Sequence, residues 1–395
     1  MDFDLTPEQT ALRDRVRDFI RREVVPLEPR EDEHEGLPPD LLAEVRQKAR
    51  AAGVWAPQLP RAYGGLGLEI MGLCVLFEEA GWSPLGPLAL HCAAPDEGNM
   101  HLLLRAATPE QKARYLAPLA RGECRSCFAM TEPAPGAGAD PTMLRTRAER
   151  RGERWVIDGR KWFTSGAMGA AFAIVAAVTD PAGPPRQSAT LFLVDAHTPG
   201  FEVLRAIPVM GSGGPGGHCE IQFDACEVGD AQVLGSVGEG FKLMQARLGP
   251  ARLTHCMRWL GAANRAVSIA RTYVLERRAF GKTLSEHQAV QWMFADSALD
   301  LHASRLMTLH AAWLLEKGDE ARRETSMCKV FVAEAVNRVI DRCVQVCGAL
   351  GYSRDLLLER LYRDARAFRI YDGPSEVHRM VIARHVLKST MPPHE

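Results

Sequence analysis

Apolar residues recur at helical spacing over the first third of this chain, crowd into short dense runs in the middle, and return to long helical stripes at the end. Leu12, Val16, Phe19 and Ile20 open the first stripe behind Thr6-Pro7-Glu8-Gln9. That start supplies a capping hydroxyl, a proline in the first turn and early acids. Further helices are predicted over 39–52, 69–81 and 85–105, and Pro109-Glu-Gln-Lys opens another. The glycine-rich Tyr63-Gly-Gly-Leu-Gly-Leu68 reads as a loop between them. From about 125 to 238 the runs at 172–178, 189–194, 201–207 and 220–223 are short, apolar or β-branched, and separated by Pro and Gly. In Trp155-Val-Ile-Asp-Gly-Arg-Lys-Trp162 the pair Asp158-Gly159 predicts a hairpin turn, and Arg151-Gly152 a second one upstream. After Gly238, Val332, Val336, Val339, Cys343, Val346 and Leu350 form the stripe of a long packed helix, and Leu306, Leu309 and Trp313 that of the helix before it. Glycine in Gln345-Val-Cys-Gly-Ala-Leu-Gly351 predicts where the longer helix stops. The fold class is therefore mainly α with a central β domain, divided as 1–124 helical, 125–238 β and 239–395 helical.

Composition narrows the function. The 395 residues are 46% hydrophobic and 25% charged, with a net charge of −1. That balance gives no field to draw nucleic acid or an anionic membrane, so neither is expected as a partner. No uninterrupted apolar run reaches the roughly 18 residues of a membrane span. The acidic start Met-Asp-Phe-Asp-Leu-Thr-Pro-Glu lacks the apolar core of a signal peptide. Ten cysteines in a chain of this length do not make a disulfide framework, and the usage points to a reducing, cytoplasmic setting. Cys124 and Cys127 form one C-x-x-C with no second pair to complete a tetrahedral site, so no metal is expected.

Gly211-Ser-Gly-Gly-Pro-Gly216 matches a dinucleotide-binding pattern in letters only. Strand-like residues follow it where a helix should open, which makes it a connection between strands. Three other segments could carry chemistry. Phe128-Ala-Met-Thr-Glu-Pro133 ends a strand in a glycine-rich loop, and Trp162-Phe-Thr-Ser-Gly166 offers a flat indole and two hydroxyls. Each is also compatible with plain β-structure. Glu276-Arg-Arg-Ala-Phe-Gly-Lys282 supplies guanidinium donors suited to a diphosphate and an aromatic ring, though a basic surface turn would look the same. Finally Arg369-Ile-Tyr-Asp-Gly-Pro-Ser-Glu-Val-His-Arg379 holds one short carboxylate, Asp372, beside a Gly-Pro break at the mouth of a helix. Asp-Gly-Pro-Ser is also an ordinary turn and helix start.

In this order the segments resemble the acyl-CoA dehydrogenase family over essentially the whole chain. The likeness rests on Tyr-Gly-Gly-Leu-Gly-Leu68, Met130-Thr-Glu-Pro, Trp162-Phe-Thr, Arg277-x-x-Phe-Gly, Glu286-His-Gln, Gln345-x-x-Gly and Tyr371-Asp-Gly. It is nearest the branch with Asp in Tyr-Asp-Gly-Pro, some members of which are fused to phosphotransferase-like domains, an addition not expected here. The resemblance implies an N-terminal helical domain, a middle β-barrel and a C-terminal four-helix bundle, with FAD between the last two and a homotetramer or homodimer. It implies that Phe128, Met130, Thr131, Trp162 and Thr164 face the flavin, and that Arg277, Phe280, Gln345 and Gly348 hold its diphosphate and adenosine side, partly across a subunit interface. Ala139, Arg252, Tyr371 and Gly373 fall at substrate-facing positions, and Asp372 takes the place of the family's usual catalytic Glu.

The implied reaction is α,β-dehydrogenation of a fatty acyl-CoA. Asp372 removes the α-proton while a hydride leaves the β-carbon, and an electron-transfer flavoprotein takes the electrons. Donors aimed at the thioester oxygen stabilise the developing enolate, an effect worth about 3–4 kcal/mol per donor. Ala251 stands where some members carry an alternative base, ahead of Arg252, so no acid competes with Asp372. Ala139, Pro374 and Glu376 depart from the family's usual Ser, Thr and Gln. A nitroalkane-oxidase-like activity with oxygen as acceptor is the alternative, because it too uses an Asp base. A nucleic-acid-binding relative fits less well with the near-zero charge and the absence of a basic extension.

Overall fold

A computed structural model of the chain describes residues 5–388. The first four residues of the acidic start, and 389–395 at the far end of the last expected domain, lie outside them. The N-terminal part is helical: α1 (Pro7–Phe19), α2 (Pro39–Ala51), α3 (Ile70–Ala80), α4 (Gly86–Ala89), α5 (Asp96–Ala106), α6 (Pro109–Gln111) and α7 (Ala117–Ala120). As the sequence predicts, Thr6 caps α1, its hydroxyl accepting from the Gln9 N–H at 3.2 Å. The stretch expected to be helical over 85–105 is divided between α4 and α5.

Eight strands follow: β1 (Ser126–Ala129), β2 (Arg147–Arg151), β3 (Arg154–Ser165), β4 (Phe172–Val178), β5 (Ala189–Asp195), β6 (Phe201–Ala206), β7 (His218–Gly229) and β8 (Val233–Leu234). They pair in the order β6-β7-β3-β2-β4-β5-β8, with β1 parallel to β4. A single residue pair, Arg147 with Val178, joins β2 to β4. Residues from both halves, including Ile157, Val175, Phe192, Ile221 and Phe223, share one core, so the sheet curls around it. On β4, Ala173, Val175 and Ala177 enter that core, while Phe172, Ile174 and Ala176 pack against the helices. Burial on both faces explains why this strand is apolar without alternation. The glycine loop at 211–216 connects β6 to β7, as expected.

The hairpin turn expected at Asp158-Gly159 is not formed. β3 continues through it, and the hairpin turn is the upstream one expected beside Arg151-Gly152, with Gly152-Glu153 between the paired Arg151 and Arg154. Asp158-Gly159 instead makes a bulge in the pairing with β7, where the Asp158 carboxylate accepts from the Ala225 N–H at 2.7 Å. Gly159 has φ +147°, and a Cβ there would sit 2.6 Å from Thr146 Oγ1. Glycine is needed for a close approach, which the turn signal cannot distinguish from a hairpin.

Helices then resume: α8 (Gly240–Glu276), α9 (Gln288–Glu316), α10 (Arg322–Tyr352), α11 (Leu358–Phe368) and α12 (Ser375–Lys388), with a small β9 (Arg278–Ala279)–β10 (Lys282–Thr283) hairpin before α9. α8, α9 and α10 pack pairwise, and α11 and α12 lie on α10. Val332, Val336, Val339, Cys343 and Val346 are buried as the stripe predicts. In α9 the buried positions are Ser297, Leu301, Ser304, Thr308, Ala311 and Ala312, while Leu306, Leu309 and Trp313 are half-buried. Small residues make that contact, and an apolar stripe does not reveal them. The long helix does end at a glycine, as the sequence predicts: Gly348 leaves helical geometry at φ +60°, ψ −138°, and a short second helical piece follows to Tyr352.

α8 also crosses α3 at glycine on both sides. A Cβ on Gly81 would lie 2.0 Å from Arg258 O, and one on Gly261 2.0 Å from Glu78 O. Gly261→Ala is therefore expected to lower the unfolding free energy by roughly 1–3 kcal/mol through overpacking. Urea unfolding followed by circular dichroism measures it, and an unchanged midpoint would show that the crossing relaxes freely.

Candidate active site

The chain reverses between α11 and α12, and Asp372 sits at the bend with φ +55°. Asp and Asn tolerate this left-handed conformation better than most side chains. Gly373 follows at φ +96°, where a Cβ would meet His378 Nε2 at 2.7 Å. Two side chains hold the bend by one atom. The Asp372 carbonyl accepts from Arg252 Nε at 2.9 Å and from His378 Nε2 at 3.1 Å. Because a carbonyl only accepts, Nε2 of His378 carries the proton, and Nδ1 accepts from Ser326 Oγ at 3.2 Å. Burial, with Arg252 nearby, pushes the His378 pKa down to about 4, in keeping with a neutral ring. Beneath the bend the wholly buried Lys329 donates to Phe368 O at 2.5 Å and to Gly373 O at 3.4 Å. Burial lowers its pKa to about 8, which the neighbouring Cys256 and Asp372 oppose.

The Asp372 side chain is 17% exposed, and its Oδ2 lies 3.3 Å from His255 Nε2 on α8. Burial lowers the His255 pKa well below its ordinary value, and Arg258, Lys329 and Arg247 add to the effect, so the imidazole is neutral. Tyr371 packs beside it, with ring centroids 4.8 Å apart, and its hydroxyl accepts from Trp259 Nε1 at 2.6 Å. Among the described residues no acceptor pairs with the Asp372 N–H.

A second wall comes from the sheet. Trp162 N–H donates to Thr131 O at 2.8 Å, and Lys161 Nζ to Met130 O at 3.0 Å, which brings the two predicted segments together. The pairing of β3 with β7 shifts register between Lys161 and Thr164, and the intervening Phe163 adopts φ +52°. Beneath the wall Lys161 and Glu132 form a buried pair at 2.9 Å. The Glu132 carboxylate also accepts from the N–H groups of Ala137, Arg145 and Thr146. Burial raises the Glu132 pKa, but Lys161 and those donors outweigh it and leave the group below the usual range. The Thr164 hydroxyl is buried without a partner. An orphaned hydroxyl in this wall is what a planar, hydrogen-bonding cofactor edge would satisfy, so these residues fit the expected flavin.

Arg247 joins the walls. Its guanidinium lies 4.2 Å from the Phe128 ring centroid, donates to Asn99 Oδ1 at 2.8 Å, and feels the Asp372 charge. Asn99 in turn donates to Ser126 Oγ at 2.9 Å. The structure thus brings Phe128, Met130, Thr131, Trp162, Thr164, Arg252, Tyr371, Asp372 and Gly373 into two linked walls. Ala139 lies exposed on the loop after Glu132. Arg277, Gln345 and Gly348 are exposed too, as is Phe280 at 96%, and among the described residues no hydrogen bond or ion pair ties them to either wall. His255, Arg247, Arg258 and Lys329 are not among the residues predicted from the sequence. A signal existed: Arg247, Arg252, His255 and Arg258 recur every three to five residues in an otherwise largely apolar helix. Among the described residues no group of His, Cys, Asp or Glu is placed to hold a metal ion, and no helix is long and apolar enough to cross a membrane.

Helical segments flank a curled sheet, and the Asp372 bend is held among α8, α10 and α12. The family models for acyl-CoA dehydrogenase match in all three parts: the N-terminal domain over 6–123, the middle domain over 127–226 and the C-terminal domain over 238–387. The chain belongs to the acyl-CoA dehydrogenase family, a family of oxidoreductases. It is 40% identical over 396 residues to probable acyl-CoA dehydrogenase FadE2 of Mycobacterium tuberculosis, covering 97% of this chain and 96% of that protein. It is 37% identical to acyl-CoA dehydrogenase family member 10 of Mus musculus, covering 98% of this chain but only 37% of that longer protein. A Mycobacterium abscessus structure assigned as an acyl-CoA dehydrogenase superposes with a TM-score of 0.93 at 37% identity, covering 98% of this chain and 99% of the other.

The Glu132–Lys161 pair yields a stability test. Glu132→Ala strands a buried ammonium and three N–H donors, which is expected to cost about 3–5 kcal/mol. Because the folded Glu132 pKa lies below its ordinary 4.5, its stabilisation is full above that pH and drains away as pH falls through the lower folded value. Denaturant unfolding of wild type and variant at several pH values should show curves that converge under acid; equal stability at neutral pH would refute the assignment.

Proposed function

We propose that the protein is an FAD-dependent acyl-CoA dehydrogenase in which Asp372 takes the α-proton of the thioester. The carrying observation is the left-handed bend at Asp372. It presents one carboxylate and one unpaired N–H side by side, while the carbonyl behind them is tied to Arg252 and His378. A proton next to a thioester is far too weakly acidic to leave unaided in neutral water. The free N–H is suited to the thioester oxygen, where it would stabilise the charge that develops as the proton departs. The adjacent carboxylate is suited to receive that proton, and the surrounding Tyr371, Phe368 and Trp259 rings limit access of water.

FAD, when bound, would supply the acceptor for the hydride that leaves the β-carbon. Met130, Thr131, Trp162 and Thr164 are the residues that would hold its ring, with Phe128 behind them. Arg277, Phe280, Gln345 and Gly348, all exposed in the single chain, would serve its diphosphate and adenosine side through contacts between copies in a homotetramer or homodimer. An electron-transfer flavoprotein is the proposed acceptor, and the cytoplasm the proposed location. Ten free cysteines accord with that location.

Asp372→Asn tests the base with little disturbance of the bend, since Asn also accepts positive φ. The variant should purify yellow and bind acyl-CoA, while flavin reduction in anaerobic rapid mixing slows at least a hundredfold or so. Near-normal reduction would eliminate Asp372 as the base. Reduction of the wild type by nitroalkanes, with none by acyl-CoAs, would replace the dehydrogenase reading with the oxidase one.

A further inference from the structure

The Asp372 carboxylate lies amid Arg247, Arg252 and Arg258 from α8, Lys329 from α10, Glu97 from α5, and Tyr371 and His378 from its own segment. Among the described residues, the one basic side chain with a nitrogen within 4.0 Å of that carboxylate is His255. We propose that His255 is a positioning residue that engages Oδ2 of Asp372 and leaves Oδ1 as the oxygen that takes the proton. The inference rests on Asp372 being the base.

The imidazole's hydrogen bonding sets its proton. Arg258 Nη2 lies 3.3 Å from His255 Nδ1, and a guanidinium can only donate. Nδ1 must therefore be the unprotonated nitrogen. The neutral ring then carries its hydrogen on Nε2, the atom facing Asp372. Tyr371 Oη, 3.4 Å from Nδ1, is free to donate to the same nitrogen because it already accepts from Trp259. Arg258 is itself fixed, donating to Cys92 O at 2.8 Å and lying 3.8 Å from Glu97. The ring lies 4.8 Å from the Tyr371 centroid and 6.2 Å from that of Phe368, which restricts its rotation. Every other nearby donor is committed elsewhere. Arg252 and His378 hold the Asp372 carbonyl, Lys329 the Phe368 carbonyl and Arg247 the Asn99 amide. Burial keeps His255 uncharged, so the contact steadies one carboxylate oxygen without adding another cation.

Two arms test this on the flavin-loaded enzyme. In the first, ring nitrogens are labelled with ¹⁵N-histidine and His255 is assigned by its loss in His255→Val. The expected spectrum is a neutral, Nε2-protonated ring between about pH 6 and pH 8, whose Nε2 signal moves in Asp372→Asn. A doubly protonated ring at pH 6, the opposite tautomer, or an Nε2 signal indifferent to Asp372→Asn would overturn the proposal. In the second, enzyme is mixed anaerobically with saturated straight-chain acyl-CoAs from butyryl to palmitoyl. His255→Val should slow flavin reduction at saturation on the order of tenfold to a hundredfold, with the half-saturating concentration changed by no more than about twofold. His255→Gln, which still offers an N–H, should recover most of that loss. Reduction by His255→Val at the wild-type rate would overturn the proposal. If His255→Val does not fold, a His255→Gln rate below the wild type by more than about a hundredfold would do so instead. Wild-type enzyme that none of these thioesters reduces would sink the proposed function, while the nitrogen spectrum still decides the contact.

Discussion

The carbonyl of Asp372 is the atom on which the site depends, because it is where α8 and α12 grip the bend between α11 and α12. Left-handed backbone at a residue other than glycine costs roughly 1–2 kcal/mol. A hydrogen bond from a charged donor contributes about 1.5–3 kcal/mol, so the bond from Arg252 alone offsets the strain. The neutral His378 adds a second bond and Lys329 ties the neighbouring carbonyls from below. A bend held at three points cannot let its carboxylate wander. Gly373 is the cost of that tightness, since any Cβ there would strike His378.

The grip is only as exact as the placement of α8, which supplies Arg247, Arg252, His255, Arg258 and Trp259 from one helix. Gly81 and Gly261 let α8 and α3 approach until backbone meets backbone. Arg247 and Asn99 then link α8 to α5, and Asn99 reaches Ser126 at the start of β1. From β1 the chain runs directly into Met130 and Thr131. One continuous set of contacts therefore fixes the distance between the helical wall carrying the acid and the sheet wall carrying Trp162 and Thr164. Residues far apart in sequence act as one part.

Much of this was legible in the sequence, and what was not has identifiable physical causes. Helix starts and apolar stripes are local signals, so Thr6, the β4 run and the Val332–Val346 face were readable from period and capping alone. The motif segments around Thr131 and Trp162, far apart in sequence, are joined by the hydrogen bond from Trp162 N–H to Thr131 O. Asp158-Gly159 misled because a bulge and a hairpin ask the same thing of glycine, and only the approach of Thr146 separates them. Gly348 did not mislead: its φ of +60° ends the long helix where the sequence predicts. His255 and Lys329 went unseen for a different reason. Their meaning lies in partners 39 residues away or more, and a largely buried base on a helix carries no local mark of what it touches.

The surroundings of Asp372 also explain why the basic group beside its carboxylate is an imidazole and not one of four available cations. Two opposite charges 4 Å apart attract by about 4 kcal/mol at an effective dielectric of 20. A carboxylate so paired would surrender much of its basicity. Each cation here is instead turned toward a carbonyl or an amide, so the acid keeps the benefit of a positive surrounding without a partner that occupies its lone pairs. A neutral imidazole whose Nε2 lies 3.3 Å away can orient the group at far smaller expense to its reactivity. Asp is one methylene shorter than Glu and has less freedom to find its target by rotation. Orientation by a fixed neighbour is the physical complement of that short reach, and the bend, the cations and His255 act together to supply it.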